Sequence, residues 1–318
     1  MTIAICSFRT LAVAGMVVAM PTLALAAECP EGFPQKPVEF VVAYGAGGGT
    51  DAIGRTLAAV IEEQQGWTVP VSNRPGAGGA VATTVLKSTK PDGYTLLVGA
   101  TNPIVIDPYA SDAVDYDWTD FYYPGSAMEV LFGLVALEDK PYDTLEELAD
   151  YARENGRATI STSAIHLERL VRDIGDFYGV EFVPIPSDGS ADAMQKALGG
   201  HVDATIQGSQ HIQQIAAGNM VQLATLTDSR VPYAPDVKTL QEYGMDLSAS
   251  AYTIFVMPKD LPEALQVCFE GVIEEAMASD AYLELMANFD NRAANLGPDG
   301  LTALMEKQAT RYQKMFAE

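Results

Sequence analysis

The chain has 318 residues, 48% of them hydrophobic, enough for one large or two medium domains with real cores. Its 42 acidic residues outweigh 19 basic ones, for a formal net charge of −23. That balance excludes nucleic acid as a partner, since phosphate affinity rests on clustered Lys and Arg, and it opposes adhesion to anionic lipid. An anionic ligand would also be repelled at long range, so any anion site must work through close, local donors.

Residues 1–27 read as a secretory signal. Arg9 is the only charge, Leu11 to Met20 is an apolar run, and Ala24-Leu25-Ala26 is a small-x-small cleavage site. No later stretch reaches the length of a membrane span. The mature chain is expected to be soluble and periplasmic, beginning near Ala27 or Glu28. Cys6 leaves with the signal. Cys29 and Cys268 remain as a pair in an oxidising compartment, so a disulfide pinning the N-terminus to a C-terminal helix is allowed.

The first predicted strand covers Val38 to Tyr44 and runs into the glycine loop Gly45-Ala46-Gly47-Gly48-Gly49, followed by Thr50 and Asp51. Ile53, Leu57, Val60 and Ile61 then share one face of a helix from about Ala52 to Gln65, which Gly66 ends. A strand, a glycine loop and a helix N-terminus together offer unpaired N–H groups and the positive end of a helix dipole to an anion. Gly47, Gly49 and Ala52 satisfy a dinucleotide fingerprint, but the second strand (Thr68 to Val71) ends in Ser72-Asn73-Arg74 rather than an acidic residue. No Walker lysine follows. The fingerprint is therefore set aside, and no cofactor is expected.

A second glycine loop, Asn73 to Gly79, opens a helix over Ala80 to Ser88, and Tyr94 to Val98 is the third strand. Alternating strands and helices imply a parallel sheet, with ligands beyond the carboxyl ends of its strands, where both glycine loops lie. Thr101 to Tyr123 is expected to be irregular, with Asp107, Asp112, Asp115, Asp117 and Asp120 as a solvated acidic patch and no metal site. A second α/β pattern follows. Its strands are Val130 to Ala136, Ala158 to Thr162, Glu181 to Ile185, Asp203 to Ile206 and Val221 to Leu226. Its helices begin at the capping box of Thr144 and Glu147, after Ser163, after Ser187-Asp188-Gly189-Ser190, and at Ser209. After a crossing near Pro232 to Pro235 comes a strand over Ser250 to Met257. Three helices then follow (Pro262 to Met277, Ala281 to Phe289, Pro298 to Phe316) and are expected to pack back on the first lobe. The domain expectation is 1–27 signal peptide, 28–125 plus 228–318 as lobe 1, and 126–227 as lobe 2. Two lobes joined by more than one crossing form a hinge with the ligand between them.

Several ordered motifs now add up. Phe33-Pro34-x-Lys36-Pro37-Val38, Tyr44 to Asp51, Asn73 to Gly79 and Pro91-Asp-Gly-Tyr-Thr-Leu96 occur in the first lobe. Ser163-x-x-His166-Leu167, Gly189 with Gly199-Gly200-x-Val202-Asp203, Ala217-Gly218 and Pro235-Asp-Val-x-Thr239-x-x-Glu242-x-Gly244 occur beyond it. Together they resemble the Bug family, the solute receptors of tripartite tricarboxylate transporters, over essentially the whole mature chain. The resemblance implies a two-lobe α/β type II periplasmic binding-protein fold (a Venus flytrap) with the ligand in the interlobe cleft. It implies capture of a carboxylate-bearing organic acid, handed by a monomeric receptor to integral-membrane permease subunits.

In that family the loops matching Tyr44, Ala46, Gly47, Gly48, Gly49, Thr50 and Asp51, and Gly76, Ala77, Gly78, Gly79 and Ala80, grip one carboxylate, partly through ordered water. The other lobe contributes polar groups near Ser163, His166, Gly189 and Asp203; Asn102 and Ser161 complete the candidate set. Asp51, while ionised, would orient a water or the loop backbone. The chain departs from the family at Ala43, Thr162, Ser187, Asp188, Tyr252 and Lys259-Asp260, which bears on the ligand's identity rather than its carboxylate. His201 and His211 are expected at the surface. A secreted serine hydrolase using Ser163 and His166 is the alternative, although no orienting acid is evident and no G-x-S-x-G elbow occurs. A signalling receptor would share the same binding site.

Overall fold

Two five-stranded sheets carry the chain in the computed structural model, which describes residues 29–291 and 293–317. The expected signal sequence, residues 1–27, and its expected cleavage site lie outside the described residues. The first sheet has the order β2-β1-β3-β10-β4, built from β1 (Glu39–Val42), β2 (Val71–Asn73), β3 (Thr95–Ala100), β4 (Phe121–Val130) and β10 (Ala251–Pro258). β1, β2 and β3 are parallel, and β10 enters between β3 and β4, antiparallel to both. The second sheet, β7-β6-β8-β5-β9, repeats the plan with β5 (Phe132–Leu137), β6 (Ala158–Thr162), β7 (Phe182–Pro186), β8 (Ala204–Gly208) and β9 (Met220–Thr225). β6, β7 and β8 are parallel, and β5 is antiparallel to β8 and β9.

Helices cover both faces of each sheet, as β-α alternation requires. On one face of the first sheet, α1 (Gly49–Gln65), α8 (Glu263–Met277) and α9 (Asp280–Asn288) close a core around Phe40, Ile53, Leu57, Phe269 and Tyr282. On the other face lie α2 (Ala80–Lys87), α3 (Thr101–Ala110) and α10 (Gly297–Ala317), around Leu97, Ile104, Ile254 and Met305. In the second sheet α4 (Leu145–Asn155) and α5 (Ile165–Tyr178) bury Leu148, Leu167, Val171 and Ile174. Its opposite face holds α6 (Ser190–Leu198) and α7 (His211–Ala216), with Met194 and Ala197 packed on Val135. Cys29 and Cys268 form a disulfide that fastens the lead-in to α8.

Three expectations are corrected. Thr101 to Tyr123 is not irregular: it supplies α3, a turn and the start of β4. Every residue of α3 from Thr101 to Asp107 is buried, so Asp107 is no part of a solvated patch. The sheets exchange chain at other points than 125/126 and 227/228. β4 stays in the first sheet to Val130, which pairs with Ala251, while Phe132 already pairs with Gly208 in the second. On the return, Leu240, Met245 and Ala249 still pack into the second core, because Thr225 bridges Thr239 and Ala249 donates its N–H to Leu226. His211 is fully buried, its Nε2 hydrogen-bonded with Tyr233 at 2.7 Å and Gln222 at 3.2 Å.

Candidate ligand-binding site

Both sheets point the carboxyl ends of their parallel strands at the gap between them, so the helices that follow those strands begin there. α1 starts after Gly48, α3 after Ala100, α5 after Ala164 and α6 after Gly189, and none of the four has a side chain bonded to its N-terminal amides. Thr144 and Ser279 do cap α4 and α9, away from the gap. Gly49 and Thr50, Asn102, His166 and Ser190 all line a single cavity of about 60 Å³ between the lobes. The first turn of a helix leaves its N–H groups without intrahelical partners and carries about half a positive charge. Four such ends facing one cavity make an anion site in which no side chain needs to be charged. None of the cavity's lining residues is Asp, Glu, Lys or Arg.

The glycine loop is held in shape from behind. Asp51 accepts hydrogen bonds from Gly47 N–H at 2.9 Å, Arg55 Nε at 3.0 Å and Asn73 Nδ2 at 2.7 Å. Asn73 also donates to Tyr44 O at 3.0 Å and accepts from Arg55 at 2.7 Å. Burial alone would raise the Asp51 carboxyl, but the donors from Arg55, Gly47 and Asn73 outweigh it and hold it below its ordinary value. Asp51 is thus an ionised anchor that orients the loop backbone.

Across the cavity Asn102 and His166 meet, Nδ2 to Nε2, at 3.2 Å. With Asn102 as donor, Nε2 accepts and the ring proton sits on Nδ1, which is buried beside no acceptor. Burial lowers the His166 pKa to about 4, so the ring is neutral at ordinary pH and offers one N–H. This arrangement gives the hydrolase alternative no support: the imidazole pairs with Asn102 instead of Ser163, and nothing acidic orients it.

The remaining expected residues divide into groups. Tyr44, Gly48 and Ser163 line the cavity, whereas Ala46 and Gly47 are exposed at its rim. Ala77, Gly78 and Ala80 of the second glycine loop line a separate groove of about 770 Å³, which meets the cavity at Ser163 and Ala164. Gly76 and Gly79 shape that loop at φ of 137° and 110°, and Gly189 is the residue before α6. Two residues are corrected. Asp203 lies at the opposite end of β8, where its Oδ2 accepts from Thr159 N and Oγ1, both at 2.8 Å, and Lys140 is 3.7 Å away. Ser161 is fully buried inside the second lobe, bonded to Ala193 O and Thr205 Oγ1. The sequence reading missed Phe132, Met128 and Thr253, which wall the cavity from β4, β5 and β10. Only the strand crossing itself could have pointed to them.

The lobes touch around the cavity. Gly45 N–H donates to Asp188 O at 3.1 Å, and Gln210 Nε2 to Gly47 O at 2.6 Å. A Cβ on Gly45 would stand 2.9 Å from Asp188 O, and one on Gly78 would stand 2.8 Å from the Ala164 Cβ. Both are glycine because backbone of one lobe presses directly on the other. Among the described residues no helix is long and apolar enough to cross a membrane, and no cluster of metal-ligating side chains occurs.

A family model described as the tripartite tricarboxylate transporter family receptor matches residues 53–318. The chain is 33% identical over 287 residues to the UPF0065 protein in the gbd 5' region of Cupriavidus necator, covering 87% of this chain and 86% of that protein. It is similar to the structure of the periplasmic binding protein BugD, with a TM-score of 0.81 and 27% identity, covering 90% of this chain and 98% of that one. It shares its fold with MatC from Rhodopseudomonas palustris, solved with bound malate, with a TM-score of 0.80 and 22% identity over 89% of this chain and all of that one (100%).

Proposed function

The chain belongs to the tripartite tricarboxylate transporter receptor family, and from that premise we propose that it captures a small organic acid by its carboxylate between two lobes and delivers it to an integral-membrane permease. The observation that carries this reading is the convergence of four helix N-termini without side-chain caps on one cavity free of charged side chains. A carboxylate there would accept from the amides of α1 and α3 on one lobe and of α5 and α6 on the other. Because the donors come from both lobes, the bound acid favours the closed form, and the closed form is what a permease would read.

The lobes in this reading are residues 29–130 with 251–317, and residues 131–250. The receptor acts in the periplasm as a monomer, after removal of residues 1–27. Malate, bound by a protein of the same fold, carries the one group this reading requires, a carboxylate.

Ligand-stripped protein should be melted with mono-, di- and aromatic carboxylates, each beside its uncharged amide. A ligand at 100 times its Kd stabilises by about 2.7 kcal/mol, which is a rise of a few degrees in Tm. Acids are expected to raise Tm and their amides to leave it unchanged. Equal shifts from acid and amide, or none from any acid, would overturn the reading.

A further inference from the structure

The inner cavity, at about 60 Å³, falls far short of the several hundred Å³ of a usual ligand pocket, and the adjoining groove of about 770 Å³ lies within that range. The two meet at Ser163 and Ala164, the N-terminal end of α5. A carboxylate seated on the helix ends would therefore send the rest of its molecule into the groove.

The groove's walls say what that remainder is. Val81, Val85 and Ile165 present exposed apolar side chains from the two lobes. Asp107, Glu168, Asp188 and Asp192 stand around them against a single lysine, Lys196. Lys196 is already engaged, ion-paired with Asp192 and donating to Ser187 Oγ at 2.9 Å and Pro186 O at 3.2 Å. Two polar atoms in the wall have no partner: Asp107 Oδ1 and Thr162 Oγ1, on residues 2% and 0% exposed. A second ionised carboxylate would enter this groove beside Asp188, and beside Glu168 and Asp192, whose partners Arg172 and Lys196 are already engaged, so the wall leaves no free cation to receive it.

We propose that this groove is the distal subsite of the ligand, and that the receptor takes a monocarboxylate with an apolar body whose far end carries no negative charge. The proposal takes as given the carboxylate capture set out above. It assigns the departures at Thr162, Ser187 and Asp188 a common role, since all three line the groove.

Calorimetric titration of the full ligand-stripped protein with hexanoate, 6-hydroxyhexanoate and hexanedioate tests it. Hexanoate and 6-hydroxyhexanoate are expected to bind at least tenfold more tightly than hexanedioate. In Asp192→Asn, which releases Lys196 from its ion pair, the affinity for hexanedioate relative to hexanoate is expected to rise at least fivefold. Hexanedioate binding as tightly as hexanoate to the unaltered protein would overturn the distal subsite and leave carboxylate capture standing. Asp192→Asn shifting both acids equally, or neither, would also overturn it. If neither these acids nor the wider acid panel bind, carboxylate capture fails and takes the subsite with it.

Discussion

Asp51 and Asp107 are both buried carboxyls of the first lobe, and their surroundings drive them in opposite directions. Asp51 receives three hydrogen bonds and is held ionised. Asp107 has no donor at Oδ1, and burial pushes it up to about 8 from its ordinary 3.8. Between those two values the folded protein holds a proton that the unfolded chain has released. Stability therefore falls as pH rises through that window, by up to about 1.4 kcal/mol per unit. Asp107→Asn should remove this slope. Its Tm is expected to match that of the unaltered protein near pH 4 and to exceed it progressively toward pH 8; parallel melting profiles across that range would contradict the account. The sequence made Asp51 legible, because a carboxylate just after a glycine loop has backbone to orient. It hid Asp107, which sits in a run with Asp112, Asp115, Asp117 and Asp120, since spacing does not tell a buried acid from a solvated one. Asp203 was misplaced for a related reason: the motif containing it gives the strand, but not which end of the strand meets the cleft.

Elements carry the site more than side chains do. α1 and α5 were legible from their apolar faces and from the glycine or small residues before them. α3 was not, because it has no polar face and contains Pro103 and Pro108, and prolines argue against a helix when read alone. Yet its first turn brings Asn102 to the cavity and its last brings Asp107 to the groove. The second glycine loop shows what an element contributes at an interface. Gly78 has φ of 65°, and an added Cβ would meet the Ala164 Cβ at 2.8 Å and its Cα at 2.9 Å. Gly78→Ala should cost about 1–3 kcal/mol of stability for the left-handed residue, and it should also wedge the lobes apart. With a bound acid at saturation, small-angle scattering is expected to give a larger radius of gyration than for the unaltered protein, with affinity at least tenfold weaker. An unchanged radius and affinity would show that the Gly78–Ala164 contact does not govern closure.

For the whole molecule, a net charge of −23 surrounds a site for an anion. At 0.1 M salt the screening length is about 10 Å, so added salt weakens the repulsion on approach and leaves the amides inside the cleft untouched. Association of an acid probe, followed by stopped-flow fluorescence, is expected to speed up severalfold between roughly 20 and 150 mM salt. A rate that falls with salt would mean a local positive field guides entry. The two-lobe plan was legible from β-α alternation, whereas the crossings were not, because β4 and β5 are separated by Leu131 alone and read as one apolar run. The place of β10 has a consequence for how the polypeptide comes into being. The second sheet is complete once residue 225 has emerged, and its last core residues follow by Ala249. The first sheet waits for residues 251–258, and the thiol of Cys29 waits for Cys268. A chain crossing a membrane N-terminus first would thus finish its later-encoded half before its earlier one. Any product cut short ahead of β10 would leave β3 and β4 with bare edges, open to pairing with other chains and to proteolysis.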